Sequence, residues 1–177
     1  MGSPGVRELI DSHSDSLYRY AYRLSGSAAD AEDLVQETFG KAITRLHQLR
    51  QADHARQWLF RILRNAYLHR VRDERKRRTV PLDAVGDLPA AQESDTPAVD
   101  PADLQAALND LDESFRTPLI LFYFEEFSYR DIAAQLELPI GTVMSRLARG
   151  KAYLRSRLAA HDPDPDADAP RRATDGL

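Results

Sequence analysis

The residues whose types and spacing could do chemistry are cations set among flat and amide side chains. From Arg56 to Arg78 the chain carries nine Arg or Lys and two acids, interleaved with Trp58, Asn65, Tyr67 and His69. Charge for the phosphate backbone and flat groups for unstacked bases are what single-stranded or distorted DNA requires. Aromatic residues at helical spacing also build cores, so Trp58 and Tyr67 have that second reading. The run Arg75-Lys76-Arg77-Arg78 reads as a solvated end suited only to phosphate contact. A second cationic series, Arg146, Arg149, Lys151, Arg155 and Arg157, contains no acid between Thr142 and Arg157. If its helix enters a major groove, Thr142, Met144, Ser145 and Arg146 at its start would face base edges or phosphates. A solvated basic face on a packed helix is the alternative. Ser128, Tyr129 and Arg130 just before the turn have the same two readings, phosphate contact or helix cap. Third, Asp30, Asp33 and Glu37 share one helical face beside Leu34 and Phe39, a surface either solvated or suited to a basic partner helix.

Covalent chemistry finds no constellation. His13, His47, His54, His69 and His161 are scattered, without the spacing of a helical metal pair, so no metal or cofactor is expected. There is no Gly-rich phosphate loop and no nucleophile elbow. The absence of Cys excludes a disulfide framework, a thiolate zinc site and a cysteine nucleophile. The expectation is a binding protein rather than an enzyme.

The elements that must position these groups are helical. Leu17, Tyr20, Ala21 and Leu24 form one apolar stripe before Ser25-Gly26-Ser27. Ala31, Leu34, Val35, Phe39, Ala42, Ile43 and Leu46 form a second stripe; Trp58, Leu59, Ile62, Leu63, Ala66 and Tyr67 form a third. Ser27 with Asp30, and Ser128 with Asp131, have capping-box spacing. Pro118 is expected in the first turn of a helix carrying Leu119–Phe124. Ile132, Ala133 and Leu136, the break at 137–141, and a helix capped by Thr142 make a helix-turn-helix. Gly40 lies inside the second stripe, where Gly costs about 1 kcal/mol of helix propensity relative to Ala and loosens packing.

The whole-chain balance of 24 basic and 28 acidic residues argues against a nucleic-acid binder, but the charge is unevenly placed. Residues 1–80 carry 15 basic and 10 acidic groups, 81–103 carry six acids and no cation, 104–160 carry seven of each, and 161–177 carry two cations and five acids. With four Pro and no aromatic residue, 81–103 cannot bury enough apolar surface to offset its ordering, and it reads as a linker. The tail 161–177 has similar composition and is expected to be disordered. The units are therefore 5–80 and 104–160, all-α, each with a core that is marginal by itself. No apolar run approaches the ~20 residues of a membrane helix, and the opening Met-Gly-Ser-Pro-Gly lacks a secretory pattern. A cytoplasmic location without membrane insertion is expected.

Three strings in this order resemble the extracytoplasmic-function sigma factors of bacterial RNA polymerase. They are Asp30-Ala31-Glu32-Asp33-Leu34-Val35-Gln36-Glu37-Thr38-Phe39, Trp58-Leu59-Phe60-Arg61-Ile62-Leu63-Arg64-Asn65, and Ser128-Tyr129-Arg130-Asp131-Ile132-Ala133 followed by Gly141-Thr142-Val143-Met144-Ser145-Arg146-Leu147. The resemblance implies a region 2 bundle and a region 4 helix-turn-helix that grip core polymerase and promoter DNA together. It implies that Asp30, Asp33, Leu34, Gln36, Glu37 and Phe39 engage the clamp coiled coil of the largest polymerase subunit. The loop Arg50-Gln51-Ala52-Asp53-His54-Ala55 matches the segment that captures a base flipped from the minus-ten element, which also helps melting. Gln51, Asp53, His54 and Trp58, with Arg56, Arg61, Arg64 and Asn65 on the melted strand's phosphates, make the implied minus-ten set. Thr142, Met144, Ser145, Arg146, Arg149 and Lys151 make the implied minus-thirty-five set. Met144 stands where many members carry Arg, and Ala148 where a larger side chain is frequent, so the usual base preference is not assumed. The linker is implied to run through the polymerase toward the RNA path, and a passive tether fits equally. An anti-sigma factor is a common partner in the family. The alternative from another class is a stand-alone helix-turn-helix repressor, which would bind duplex DNA tightly without polymerase.

Overall fold

A computed structural model describes residues 5–49, 51–78 and 99–159. The expectations for Arg50, for the linker through residue 98 and for the tail lie outside the described residues. Three helices make the first unit. Helix α1, Val6–Ser25, buries Leu9, Leu17, Tyr20, Ala21 and Leu24 along one stripe. It ends at Gly26, whose φ of 71° lets its amide donate to the Tyr22 carbonyl at 2.7 Å. Helix α2, Ala28–Thr44, starts under Ser27, whose hydroxyl accepts the Asp30 amide at 3.3 Å. Helix α3, Ala55–Arg78, buries Leu59, Phe60, Leu63 and Ala66 completely.

The second unit starts earlier than residue 104. Helix α4 is Pro101–Asp110: the Asp100 carboxylate accepts the Ala102 amide at 2.7 Å, and Pro101 sits at the first helical position. Proline and acid, read as linker composition, are here a helix start. Helix α5 is Glu113–Tyr123, capped by Asp112, so Pro118 lies in its interior and not in its first turn. Proline offers no N–H to the carbonyl four residues back, that of Ser114. The Arg146 guanidinium reaches this carbonyl in a long 3.5 Å contact. Helix α6, Tyr129–Leu136, has the full expected capping box between Ser128 and Asp131. Helix α7, Ile140–Ala159, begins two residues before Thr142, because the Pro139 carbonyl already accepts the amides of Thr142 and Val143 at 3.0 and 3.1 Å. Gly150 lets α7 lie close on α5, where an added Cβ would stand 2.6 Å from a Leu119 methyl.

The two units share a single core. Tyr20 stacks on Phe60 at 4.8 Å between ring centroids, and Phe60 packs on Phe127 of the second unit at 5.2 Å. The carbonyls at the end of α1 are met by side chains of the second unit: Gln105 Nε2 donates to Arg23 at 3.2 Å and Arg116 Nη1 to Leu24 at 2.7 Å. Gly26 faces Asn109 so closely that a Cβ there would stand 2.7 Å from its amide. Cores that are marginal apart are completed by docking on one another.

Candidate nucleic-acid interface

Helix α3 carries Arg56, Arg61 and Arg64 toward the second unit. Arg56 Nη2 donates to the Glu125 carbonyl at 2.7 Å and to its carboxylate at 3.1 Å, and its guanidinium lies over the Phe60 and Phe127 rings at 5.0 and 4.7 Å. Arg64 pairs with Glu113 at 3.2 Å, and Arg61 Nη2 donates to the Ala134 carbonyl at 3.3 Å. Glu125 is buried, and burial raises its carboxyl above the ordinary value against the pull of Arg56. Asn65 remains exposed, while Tyr67 is buried and belongs to the core.

Before α3, the turns Leu46–Gln48 and Ala52–His54 lead into a pocket of about 540 Å³. Gln51, His54, Gln57, Trp58 and Arg61 line it from the first unit; Asp131, Ala134 and Gln135 of α6 close its other side. The structure thus brings Gln51, His54, Trp58 and Arg61 together. Gln51, Asp53 and His54 are exposed, and Trp58 is half-buried. The second unit thus walls this pocket and meets the guanidinium groups of Arg56, Arg61 and Arg64.

Helix α7 is disposed differently. Val143, Leu147 and Gly150 face inward, whereas Gly141, Met144, Ser145, Ala148, Arg149 and Lys151 are exposed. Thr142 and Arg146 are half-buried at the edge of that face. Arg146 is turned to α5, so the structure supports a positioning role for it beside any contact with DNA.

On α2, Asp30, Asp33 and Gln36 are exposed, but Leu34 is 1% exposed and part of the core. Phe39 is half-buried and Ile43, expected inside, is exposed. Glu37 bridges α2 and α3: Lys41 Nζ lies 2.6 Å from one carboxylate oxygen and Arg70 Nη2 3.0 Å from the other. The Lys41 ammonium, helped by Arg70 and opposed by burial, holds this carboxyl below its ordinary value. Arg70 also lies 3.9 Å from Asp33. Sequence reasoning missed the partners of these acids. Gly40 is exposed with open space around it, so it loosens no packing. Among the described residues no group of acids and histidines could hold a metal ion, and no helix is long and apolar enough to cross a membrane.

Comparison with known proteins follows the same division. Residues 9–77 match the family described as Sigma-70 region 2, and residues 102–154 match Sigma-70, region 4. The chain is 40% identical to the ECF RNA polymerase sigma factor SigE of Mycolicibacterium smegmatis, over 91% of this chain and 64% of that relative. It is 36% identical to EcfG of Rhodopseudomonas palustris, an ECF RNA polymerase sigma factor, over 91% of both chains. Among solved structures, the sigma factor RpoE from Bartonella quintana, in complex with the anti-sigma factor NepR, superposes with a TM-score of 0.72 at 29% identity, covering 88% of this chain and 97% of that one.

Proposed function

The chain belongs to the extracytoplasmic-function sigma factors, which direct RNA polymerase to promoters at transcription initiation, and from that premise we propose how its surfaces divide the work. The exposed acids of α2, Asp30 and Asp33, with Gln36, engage the clamp coiled coil of the largest polymerase subunit. Glu37 contributes through the face it orders with Lys41 and Arg70, and Phe39 through its exposed edge. Leu34 supports that face from below. The pocket lined by Gln51, His54 and Trp58, with the exposed Asp53 in the turn beside it, takes a base flipped from the minus-ten element, and Arg56, Arg61, Arg64 and Asn65 follow the melted strand's phosphates. The outer side of α7 enters the major groove at the minus-thirty-five element. The chain acts in the cytoplasm by binding alone, without catalysis of its own, and an anti-sigma factor, the partner in the RpoE complex, is a partner in kind.

The observation that carries this reading is the juxtaposition of an exposed, acid-free cationic helix α7 with an α3 whose arginines reach across to the second unit. The free chain keeps its minus-ten surface covered, and core polymerase must draw the units apart. Poor binding to DNA alone follows, in contrast to a repressor. The test is transcription from a genomic fragment library by core polymerase with and without the chain. Discrete chain-dependent start sites sharing two upstream elements are expected; an unchanged transcript profile, or tight duplex binding without polymerase in a gel shift, would overturn the proposal.

A further inference from the structure

We propose that Met144, flanked by Ala148, reads a thymine methyl group in the minus-thirty-five element, so that this chain selects a T-containing base pair where a donor side chain would select guanine. The inference rests on the reading of α7 as the major-groove helix. On that helix Met144 is 51% exposed and Ile140 43%, although the same helix buries Val143, Leu147 and Gly150. Successive residues advance by about 100° around a helix, which puts Ser145 opposite that buried stripe and Met144 and Ala148 together on one flank of the outward side. The polar groups nearby are directed elsewhere: Ser145 Oγ donates to the Thr142 carbonyl at 3.0 Å, and Arg146 Nη1 points to Ser114. The outward surface at the start of α7 therefore comprises Ile140, Gly141, Met144, Ser145 and Ala148, apolar except for the Ser145 hydroxyl, and the exposed cations Arg149 and Lys151 follow it.

In the major groove, guanine presents two acceptors, which call for a donor, and thymine presents the 5-methyl group. The Met side chain has no donor and its sulfur is a weak acceptor, so it leaves the guanine edge unmatched while giving the methyl an adaptable apolar contact. Ala148 keeps the adjoining surface shallow enough for the base edge to approach. The cations of the following turns contribute charge for phosphates and carry no base information.

The test uses holoenzyme assembled from core polymerase and the full chain on promoters with a randomised minus-thirty-five element. The wild type is expected to enrich thymine at one defined base pair. Replacing that thymine by deoxyuridine, which removes only the methyl, should lower transcription about fourfold. The effect should vanish in Met144→Ala, and Met144→Arg should shift the preference to guanine by about tenfold. Melting temperatures report whether each variant folds, and the deoxyuridine arm needs none of them. An enriched element without a methyl-sensitive thymine, or a sensitivity that persists in Met144→Ala, would overturn the role of Met144 alone. Failure to enrich any minus-thirty-five element would overturn the docking of α7 together with it.

Discussion

Helices α3 and α7 carry comparable basic composition, yet the fold commits them in opposite ways. On α3, Arg56, Arg64 and Arg61 reach Glu125, Glu113 and the Ala134 carbonyl, all in the second unit, while Arg70 turns to Glu37 of α2. On α7 the leading turns point outward, while Arg146 serves a carbonyl that Pro118 leaves without its helical donor and Arg157, near the far end, pairs with Asp110 at 3.0 Å. On the proposed reading, one promoter-facing surface is partly covered by the protein itself and the other is open to DNA. Charge in a sequence identifies a candidate nucleic-acid surface; tertiary contacts decide whether it is available.

The largest expected effect comes from attacking the contact that keeps α3 covered. Phe127 is buried and meets Phe60 across the interface. Phe127→Ala should cost about 3–5 kcal/mol in chemical denaturation and raise binding to a single-stranded minus-ten oligonucleotide; unchanged stability would mean the units are not docked in solution. A sharper contrast comes from one cation on each helix. Arg64→Ala breaks a partly buried pair with Glu113 and should cost about 1–2 kcal/mol. Lys151→Ala, on an exposed position, should change stability by less than about 0.5 kcal/mol, while weakening promoter binding and lowering its salt slope by about one. Equal stability losses would erase the distinction between the helices.

Smaller effects test the frame around these helices. Gly40→Ala, at an exposed site with open space, should stabilise the chain by up to about 1 kcal/mol; a loss would show that close approach is required there. The pH dependence of closure should carry the mark of Glu125. Because burial raises its carboxyl above 4.5, the closed form binds a proton more readily than the unfolded chain. Its contribution is therefore most favourable near and below pH 4.5 and is lost as pH rises through the raised value. The difference in stability between the wild type and Glu125→Gln should change across that interval, and a flat difference would exclude Glu125 as the responsible group.

What the sequence revealed was mostly local. The Ser128 and Asp131 capping box, the three apolar stripes of the first unit and the helix-turn-helix all arise within a few residues of one another, and they stand where expected except that Ile43 is exposed and α7 begins at Ile140. Pro118 was harder, because a proline inside a helix is acceptable only when another group meets the carbonyl it abandons, and here that group comes from 32 residues away. The start of α4 was hidden because Asp and Pro serve linkers and helix caps equally. The commitment of Arg56 and Arg61 to partners 69 and 73 residues distant has no local signature at all. On α2 the spacing of the acids identified a shared face, but could not show that Glu37 is held by Arg70 or that Leu34 is inside.

The closed arrangement can be measured directly because the chain has no cysteine, so two can be introduced as the sole labelling sites. Ala28 and Ala106 are exposed and flank the contact of Gly26 with Asn109. Spin labels on Ala28→Cys and Ala106→Cys should give a short, narrow distance distribution in the free chain, and a longer one once core polymerase is bound. A broad, long distribution in the free chain, or a short distance retained in a transcriptionally active complex, would contradict the account.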